Sequence, residues 1–401
     1  MKNAALPIIF ATILTKSKCV IENLPAVSDV TQSLSILKEM GASVRFLNPT
    51  TVEINTATFT QGTAPFDLVS KMRGSTYLLG AELGRFGKAN VNYPGGCDFG
   101  VRPIDQHIKG FEALGASVWL KNGYINAIAE NGLKGNSVYF DVTSVGATVN
   151  VILASVLAEG MTIIENAARE PHIVDLANFF NTCGANITGA GTSVIKIRGV
   201  KELHGCTYTI IPDMIEAGTF MVAAAATKGD LYIDNVIPKH LETITAKLIE
   251  MGVNVEEYDE AVRVSYAGVL NPINVKTLPY PGFPTDMHPQ MSVLLCLANG
   301  TGTMSETIWS NRFRYVEELH RMGAKITVVE QTAFFEGNTV LSPAIVKSCD
   351  LRAGAAMVVA ALVAEGRTVI EDIAYIERGY VNIVEKIRNV GGSIQKVNFP
   401  D

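Results

Sequence analysis

The sequence contains no block of like charges, no apolar stretch long enough to cross a bilayer and no two cysteines close together in the chain. Each absence removes a class of function. Formal net charge is −6 over 401 residues with acids and bases interspersed, so nucleic acid and membrane are not expected as partners and any anion must be bound locally. The longest apolar stretches, such as MVVAALVAEG, are broken by charge or glycine before the roughly 18 residues a transmembrane helix needs, which leads to the expectation of a soluble chain. Cys19, Cys97, Cys183, Cys206, Cys296 and Cys349 form no CxxC and no close pair. Neither a zinc site nor a disulfide framework is therefore expected, and a reducing cytoplasm fits. The opening MKNAALPIIFATIL lacks a clean small-residue cleavage site, so it is read as a helix of the fold rather than a secretory leader.

What is present is a repeat. A helix end, a glycine with a small residue, and an alternating segment recur as LKEMGASVRF, FEALGASVWL, FNTCGANITG, LIEMGVNVEE, LHRMGAKITV and IRNVGGSIQK. Their glycines, Gly41, Gly115, Gly184, Gly252, Gly323 and Gly391, are 74, 69, 68, 71 and 68 residues apart. A fixed period of this kind marks repeated supersecondary units. Each glycine is predicted to end a helix in the left-handed conformation and to lead into a strand. Several units also hold a helix without a polar face, as in ATVNVILASVLAEG and AGTFMVAAAATKG, and a helix apolar all round is buried on every side. Six units, each with one interior and one more amphipathic helix, predict an α/β protein of two domains. Each domain has three βαβαββ-like repeats with helices inside and short sheets outside, spanning residues 3–211 and 212–401. The first unit is expected to be incomplete, because units three to six place a strand before the inner helix (NSVYFDV, CTYTIIPD, PINVKTL, AIVKSCD) and Lys2 already opens the first.

One cysteine stands apart. Cys97 lies in YPGGCDFGVRP between glycines, with Arg102 five residues on, whereas Cys296 sits in the apolar run MSVLLCLANG. The loop reads as a flexible tip carrying a reactive thiol and a nearby cation.

The six units together with KNAALP, PGGCDFGVRP, SVGAT, FPTDM, NRF, DLRA and ERGY closely resemble the enolpyruvyl transferase family, and within it the UDP-N-acetylglucosamine 1-carboxyvinyltransferases. The resemblance runs from Lys2 to the C-terminus. It implies two inside-out α/β domains and transfer of the enolpyruvyl group of phosphoenolpyruvate to the 3′-hydroxyl of UDP-N-acetylglucosamine. That reaction opens peptidoglycan synthesis in the bacterial cytoplasm and needs no metal or organic cofactor. Relative to the family, the first ~20 residues are absent, a length matching a strand, its turn and a lead-in, and this segment is expected to belong to the second domain.

The resemblance also implies roles. Cys97 is similar to the family's proton donor, which is open to attack by the epoxide fosfomycin. Asp286 resembles the base beside the sugar hydroxyl. Lys2, Arg102, Arg312, Arg352 and Arg378 match positions that hold phosphoenolpyruvate, whose phosphate and carboxylate suit planar guanidinium groups. Asn3, Arg73, Arg102, Pro103, Ile104, Asp105, Gln106, Ser144, Val145 and Gly146 match positions contacting the nucleotide sugar, the last three opening a helix whose backbone N–H groups suit a diphosphate. Val142 stands where some relatives place a lysine. Ile308 is expected near the sugar or base, or equally in the core, and His107 as a residue that orders its loop. Two other readings stay open at this point: a truncated or non-catalytic paralogue that binds the nucleotide sugar, and a shikimate-phosphate enolpyruvyl transferase.

Overall fold

The computed structural model describes residues 1–401 apart from 63, 65, 70, 71, 94–102 and 398–401, and for Arg73 the backbone alone. Cys97 and Arg102 thus lie outside the described residues. The chain divides into two compact units, Met1–Ile211 and Pro212–Asp401.

Each unit is built on three inner helices packed on one another. In the first these are Lys2–Thr15, Tyr77–Phe86 and Val145–Ser155, and in the second Met214–Ala226, His288–Leu297 and Leu351–Val363. All residues of Lys2–Thr15 except Asn3 are buried, as expected for a helix with no polar face. Pro7 has no N–H, so the Asn3 carbonyl receives no helical bond from position 7. Close helix contact depends on small residues. A Cβ on Gly80 would lie 2.5 Å from the Asn150 carbonyl oxygen, so only glycine lets helices Tyr77–Phe86 and Val145–Ser155 approach this closely.

The repeat glycines behave alike. Gly41, Gly115, Gly184, Gly252, Gly323 and Gly391 have φ between 90° and 95°. After each, the next N–H closes the helix end on a carbonyl five residues back: Ala42 on Leu37, Ala116 on Phe111, Ala185 on Phe180, Val253 on Leu248, Ala324 on Leu319 and Gly392 on Ile387, at 2.9 to 3.0 Å. This satisfies the last carbonyls and turns the chain into the following strand.

The sheets complete themselves differently. The first unit holds sheets of four, three and four strands, and the second three, four and two, among the described residues. The first sheet departs from expectation. Strand Lys18–Glu22 pairs antiparallel with Thr51–Asn55 and parallel with Thr207–Thr209, so its fourth strand comes from the far end of the same unit. The CTYTIIPD strand, expected before the fourth inner helix as part of that repeat, instead closes the first repeat's sheet. In the last repeat, Ile345–Lys347 pairs with Val369–Glu371, and that sheet borders a groove of about 820 Å³ lined by both apolar and charged residues, among them Leu362, Ile383, Arg367 and Arg388.

Candidate active site

Asp286 sits in the 3-10 turn Thr285–Met287, which leads into the inner helix His288–Leu297. Pro284 before the turn is extended and Pro289 occupies the first turn of the helix, where a missing N–H costs nothing. The carboxylate therefore projects at a helix N-terminus. Two buried guanidinium groups converge on it. Arg352 donates from Nε and Nη2 to Asp286 Oδ2 at 3.1 and 2.8 Å, and Arg312 Nη2 lies 3.7 Å from Oδ1 while donating to the Thr285 carbonyl at 3.0 Å. Arg312 and Arg352 are 1% and 4% exposed, so their charges interact in a medium that screens little. Burial alone would lower the Arg352 pKa, but the Asp286 carboxylate, and beyond it Tyr380 and Asp213, outweigh it and raise it.

A framework of hydrogen bonds fixes this charged cluster. Asp350 caps the helix Leu351–Val363, accepting from the N–H groups of Arg352 and Ala353 at 2.7 and 3.0 Å. The Arg352 guanidinium lies over the Tyr380 ring, 5.7 Å from its centroid. The Tyr380 hydroxyl meets the Thr219 hydroxyl at 2.9 Å, and Gln290 donates to both at 3.2 and 3.1 Å. All three inner helices of the second unit thus contribute at one level. Burial pushes the Tyr380 phenol pKa up, so the ring stays neutral under the cation.

Glu306 ties the surrounding loops together. Wholly buried, it accepts from the hydroxyls of Thr277 and Thr285 at 2.9 and 2.8 Å and from the N–H groups of Ile308 and Trp309 at 2.7 and 3.2 Å. One carboxylate therefore positions both the Asp286 turn and the Ile308 loop. His288 Nδ1 stands 3.7 Å from Glu306 Oε2, but burial and then the Arg312 charge hold its pKa well below the ordinary value. The imidazole is neutral and the contact is not an ion pair.

In the first unit, Lys2 opens the first inner helix with Nζ 2.6 Å from Asp29 Oδ2, both side chains nearly buried, and the terminal amine donates to the Ile211 carbonyl at 2.8 Å. Ser144 caps the helix Val145–Ser155 by accepting from Ala147 N–H at 3.3 Å, and Gly146 in its first turn is half-buried. His107 packs beneath: a Cβ on Gly146 would be 3.0 Å from its ring, and its Nδ1 accepts from the Asn150 amide at 2.9 Å. Asn150 Oδ1 in turn accepts from Gly80 N–H at 2.8 Å. Gln106 is held by Asp105 and by Asp141, whose N–H donates to Gln106 Oε1 at 3.0 Å. Ile104 is buried, Pro103 and Asp105 are exposed, and Val142 is exposed.

Of the residues singled out in the sequence, Asp286, Arg312 and Arg352 come together in the second unit. Arg378 is half-buried at the end of the short helix Ala374–Glu377, two residues before Tyr380, and Ile308 joins the cluster through its N–H to Glu306. In the first unit, Gly146 and Gln106 flank His107, Ser144 lies one turn away, and Lys2 and Asn3 start a helix whose Leu6 lies 2.9 Å from where a Gly74 Cβ would sit, next to the Arg73 backbone. Sequence reasoning missed Glu306, Tyr380, Asp29 and the neutral His288. Tyr380 lies inside the ERGY motif, but nothing in SETIW marks Glu306 as buried.

Three cysteines far apart in the chain meet in the first unit. Cys19, Cys183 and Cys206 lie with their sulfurs all within 4.8 Å of one another. Each comes from a different element, joined by the parallel pairing of the first and last strands of the unit, so chain spacing held no trace of the cluster.

The family model described as EPSP synthase (3-phosphoshikimate 1-carboxyvinyltransferase) matches residues 1–387. The chain is 53% identical to a UDP-N-acetylglucosamine 1-carboxyvinyltransferase of Clostridium botulinum, over 99% of this chain and 95% of that protein. It is 51% identical to UDP-N-acetylglucosamine 1-carboxyvinyltransferase 2 of Bacillus subtilis, over 100% and 93%. The chain belongs to the enolpyruvyl transferase family. Within it, the UDP-N-acetylglucosamine 1-carboxyvinyltransferases are its relatives at about half identity. A solved enolpyruvyl transferase, NikO from Streptomyces tendae, superimposes with a TM-score of 0.90 at 24% identity, covering 98% of this chain and 94% of that one. An EPSP synthase from Acinetobacter baumannii gives 0.75 at 17%, covering 99% and 96%. These likenesses establish the enolpyruvyl transferase fold. Among the described residues no helix is long and apolar enough to cross a membrane.

Proposed function

We infer that this chain is a UDP-N-acetylglucosamine 1-carboxyvinyltransferase. It joins phosphoenolpyruvate to the 3′-hydroxyl of UDP-N-acetylglucosamine and releases phosphate. The observation that carries the reading is identity of about half, over nearly the whole chain, to proteins of that name. The Asp286 cluster supplies chemistry that suits it.

The reaction adds a proton to the methylene carbon of the enol and the sugar oxygen to the neighbouring carbon. It then removes phosphate and a proton from the new methyl group. A base must take the hydroxyl proton, an acid must serve the carbon, and cations must hold a dianionic or trianionic substrate. We assign the base to Asp286 and the anion-holding charge of the second unit to Arg312, Arg352 and Arg378. Arg312 and Arg352 are held by hydrogen bonds to the Thr285 carbonyl and to Asp286, which limits the reorganisation that binding requires. Cys97 takes the acid role and Arg102 and Lys2 add to the binding of phosphoenolpyruvate, as the family resemblance suggests. The helix start at Ser144, Val145 and Gly146, with Asn3, Arg73, Pro103, Ile104, Asp105 and Gln106, receives the nucleotide sugar. Every step uses protein groups and the substrates alone.

The test is acceptor choice. With phosphoenolpyruvate, UDP-N-acetylglucosamine is expected to give phosphate release and shikimate 3-phosphate none. Release with shikimate 3-phosphate alone refutes the assignment. Tight binding of the nucleotide sugar without any release favours the non-catalytic reading.

A further inference from the structure

The mechanism uses neither Cys19, Cys183 nor Cys206, yet the fold of the first unit gathers these three thiols into one place. Cys19 lies on the strand Lys18–Glu22, Cys183 caps the end of the helix Pro171–Thr182, and Cys206 directly precedes the strand Thr207–Thr209. The parallel pairing that sets Val20 opposite Thr207, with Val20 N–H donating to the Cys206 carbonyl at 2.8 Å, fixes Cys19 and Cys206 side by side. The sulfurs of Cys183 and Cys206 are 3.3 Å apart, too far for a bond and close enough for one sulfur to share a proton with the other. Cys19 and Cys183 are fully buried and Cys206 is half-exposed, which leaves one side of the cluster open to entry.

We propose that Cys19, Cys183 and Cys206 form a three-thiolate site for one divalent thiophilic metal ion of the zinc and cadmium class. Among the described residues no histidine or carboxylate joins the cluster, so the protein supplies sulfur alone. Soft thiolates select thiophilic ions over magnesium or calcium. Sulfurs bound at about 2.3 Å around one ion need only small movements from the present spacing, and a water entering past Cys206 completes four-coordination. Binding requires the thiols to give up their protons, and the negative charge of the resulting thiolates offsets that of the divalent ion. The site joins the first and last strands of the unit to the end of a helix. Cys19 lies beyond the C-terminal end of the helix Lys2–Thr15, about 20 Å along its axis from Lys2. The expected effect is stabilisation of the unit without a part in turnover.

The test uses the full chain, reduced and free of air, carrying Cys97→Ser and Cys349→Ser to remove two thiols outside the cluster. Titration with cadmium, and separately with zinc in competition with a chelator, is expected to show one ion per chain. Cadmium should add sulfur-to-metal charge-transfer absorption, and either ion should raise Tm in step with its concentration. Cys206→Ser should lower affinity at least 100-fold, and Cys183→Ala should abolish the absorption. Should these variants fold poorly, alkylation of the unaltered cluster followed by peptide mass analysis replaces them. Protection of all three cysteines by the ion supports the site. Uptake of less than one ion per chain, uptake undiminished in the variants, or equal alkylation with and without ion overturns it. Saturation only by monovalent copper also refutes the divalent assignment.

Discussion

The two units share one architecture and present opposite chemistry at the same place in it. In each, three inner helices begin at one end, and the candidate residues cluster at those beginnings. In the first unit these are Lys2 and Asn3, the turn from Arg73 to Thr76, and Ser144 to Gly146, so the end offers a cation, hydroxyls and backbone N–H groups. In the second they are Asp213, Asp286 and Asp350, with Arg352 and Arg312 set among them. The repeat therefore builds two platforms, and substitution at the helix starts decides what each does. We assign binding of the nucleotide sugar to the first platform and the base, Asp286, to the second. How the charges are buried differs as well. Lys2 and Asp29 form a single nearly buried pair, whereas Asp286 is shared by two arginines and remains about a third exposed. A group that must exchange a proton with substrate has to be reachable, and that exposure suits it.

The largest expected effect concerns the acid assigned to the first unit. Cys97→Ser should abolish covalent labelling by fosfomycin and greatly reduce turnover near neutral pH, since a serine hydroxyl is far less acidic than a thiol. Cys97→Asp should retain part of the activity and resist the drug. Mass spectrometry that finds the adduct on another cysteine breaks the division of labour at its first step.

Next comes the buried pair. Lys2→Met leaves Asp29 without its main cation and is expected to cost about 3 to 5 kcal/mol, read as a lower urea midpoint, together with lost turnover. Unchanged stability would mean that Lys2 serves substrate alone.

Glu306→Gln tests the frame of the second platform. The amide keeps one acceptor but turns its NH2 group toward hydroxyl or N–H donors, so about 1 to 3 kcal/mol of stability should be lost. The Thr285 to Asp286 turn should loosen, lowering kcat with little change in KM for UDP-N-acetylglucosamine. A change in KM alone would move Glu306 out of the base's support.

The smallest effect is expected at Gly146→Ala. Its Cβ would come within 3.0 Å of the His107 ring, which must give by a few tenths of an ångström. Binding of UDP-N-acetylglucosamine should weaken several-fold while stability stays within about 1 kcal/mol. Weakened phosphoenolpyruvate binding instead would reverse the roles of the platforms.

The same contrast explains what could be seen in the sequence. Helix ends were legible because a left-handed glycine followed by a small residue is a local device, and all six adopt it at φ from 90° to 95°. Inner helices were legible because a helix without a polar face has only one place to go. The pairing of Lys18–Glu22 with Thr207–Thr209 was not, since it joins positions almost two hundred residues apart and neither strand's composition names its partner. The three-cysteine cluster was hidden for the same reason. Asp286 and the arginines were found through motifs of a known family, but Glu306 was not, because its burial depends on loops meeting from three directions.

The most direct test of the central claim is calorimetric binding of UDP-N-acetylglucosamine to Asp286→Asn, measured beside phosphate release by the same protein. With the base removed and the first platform intact, Kd should stay within about threefold of the unaltered chain while turnover falls by about 100- to 10,000-fold. Turnover that survives, or nucleotide-sugar binding that is lost with it, would contradict the assignment of sugar binding to the first platform and of the base to the second.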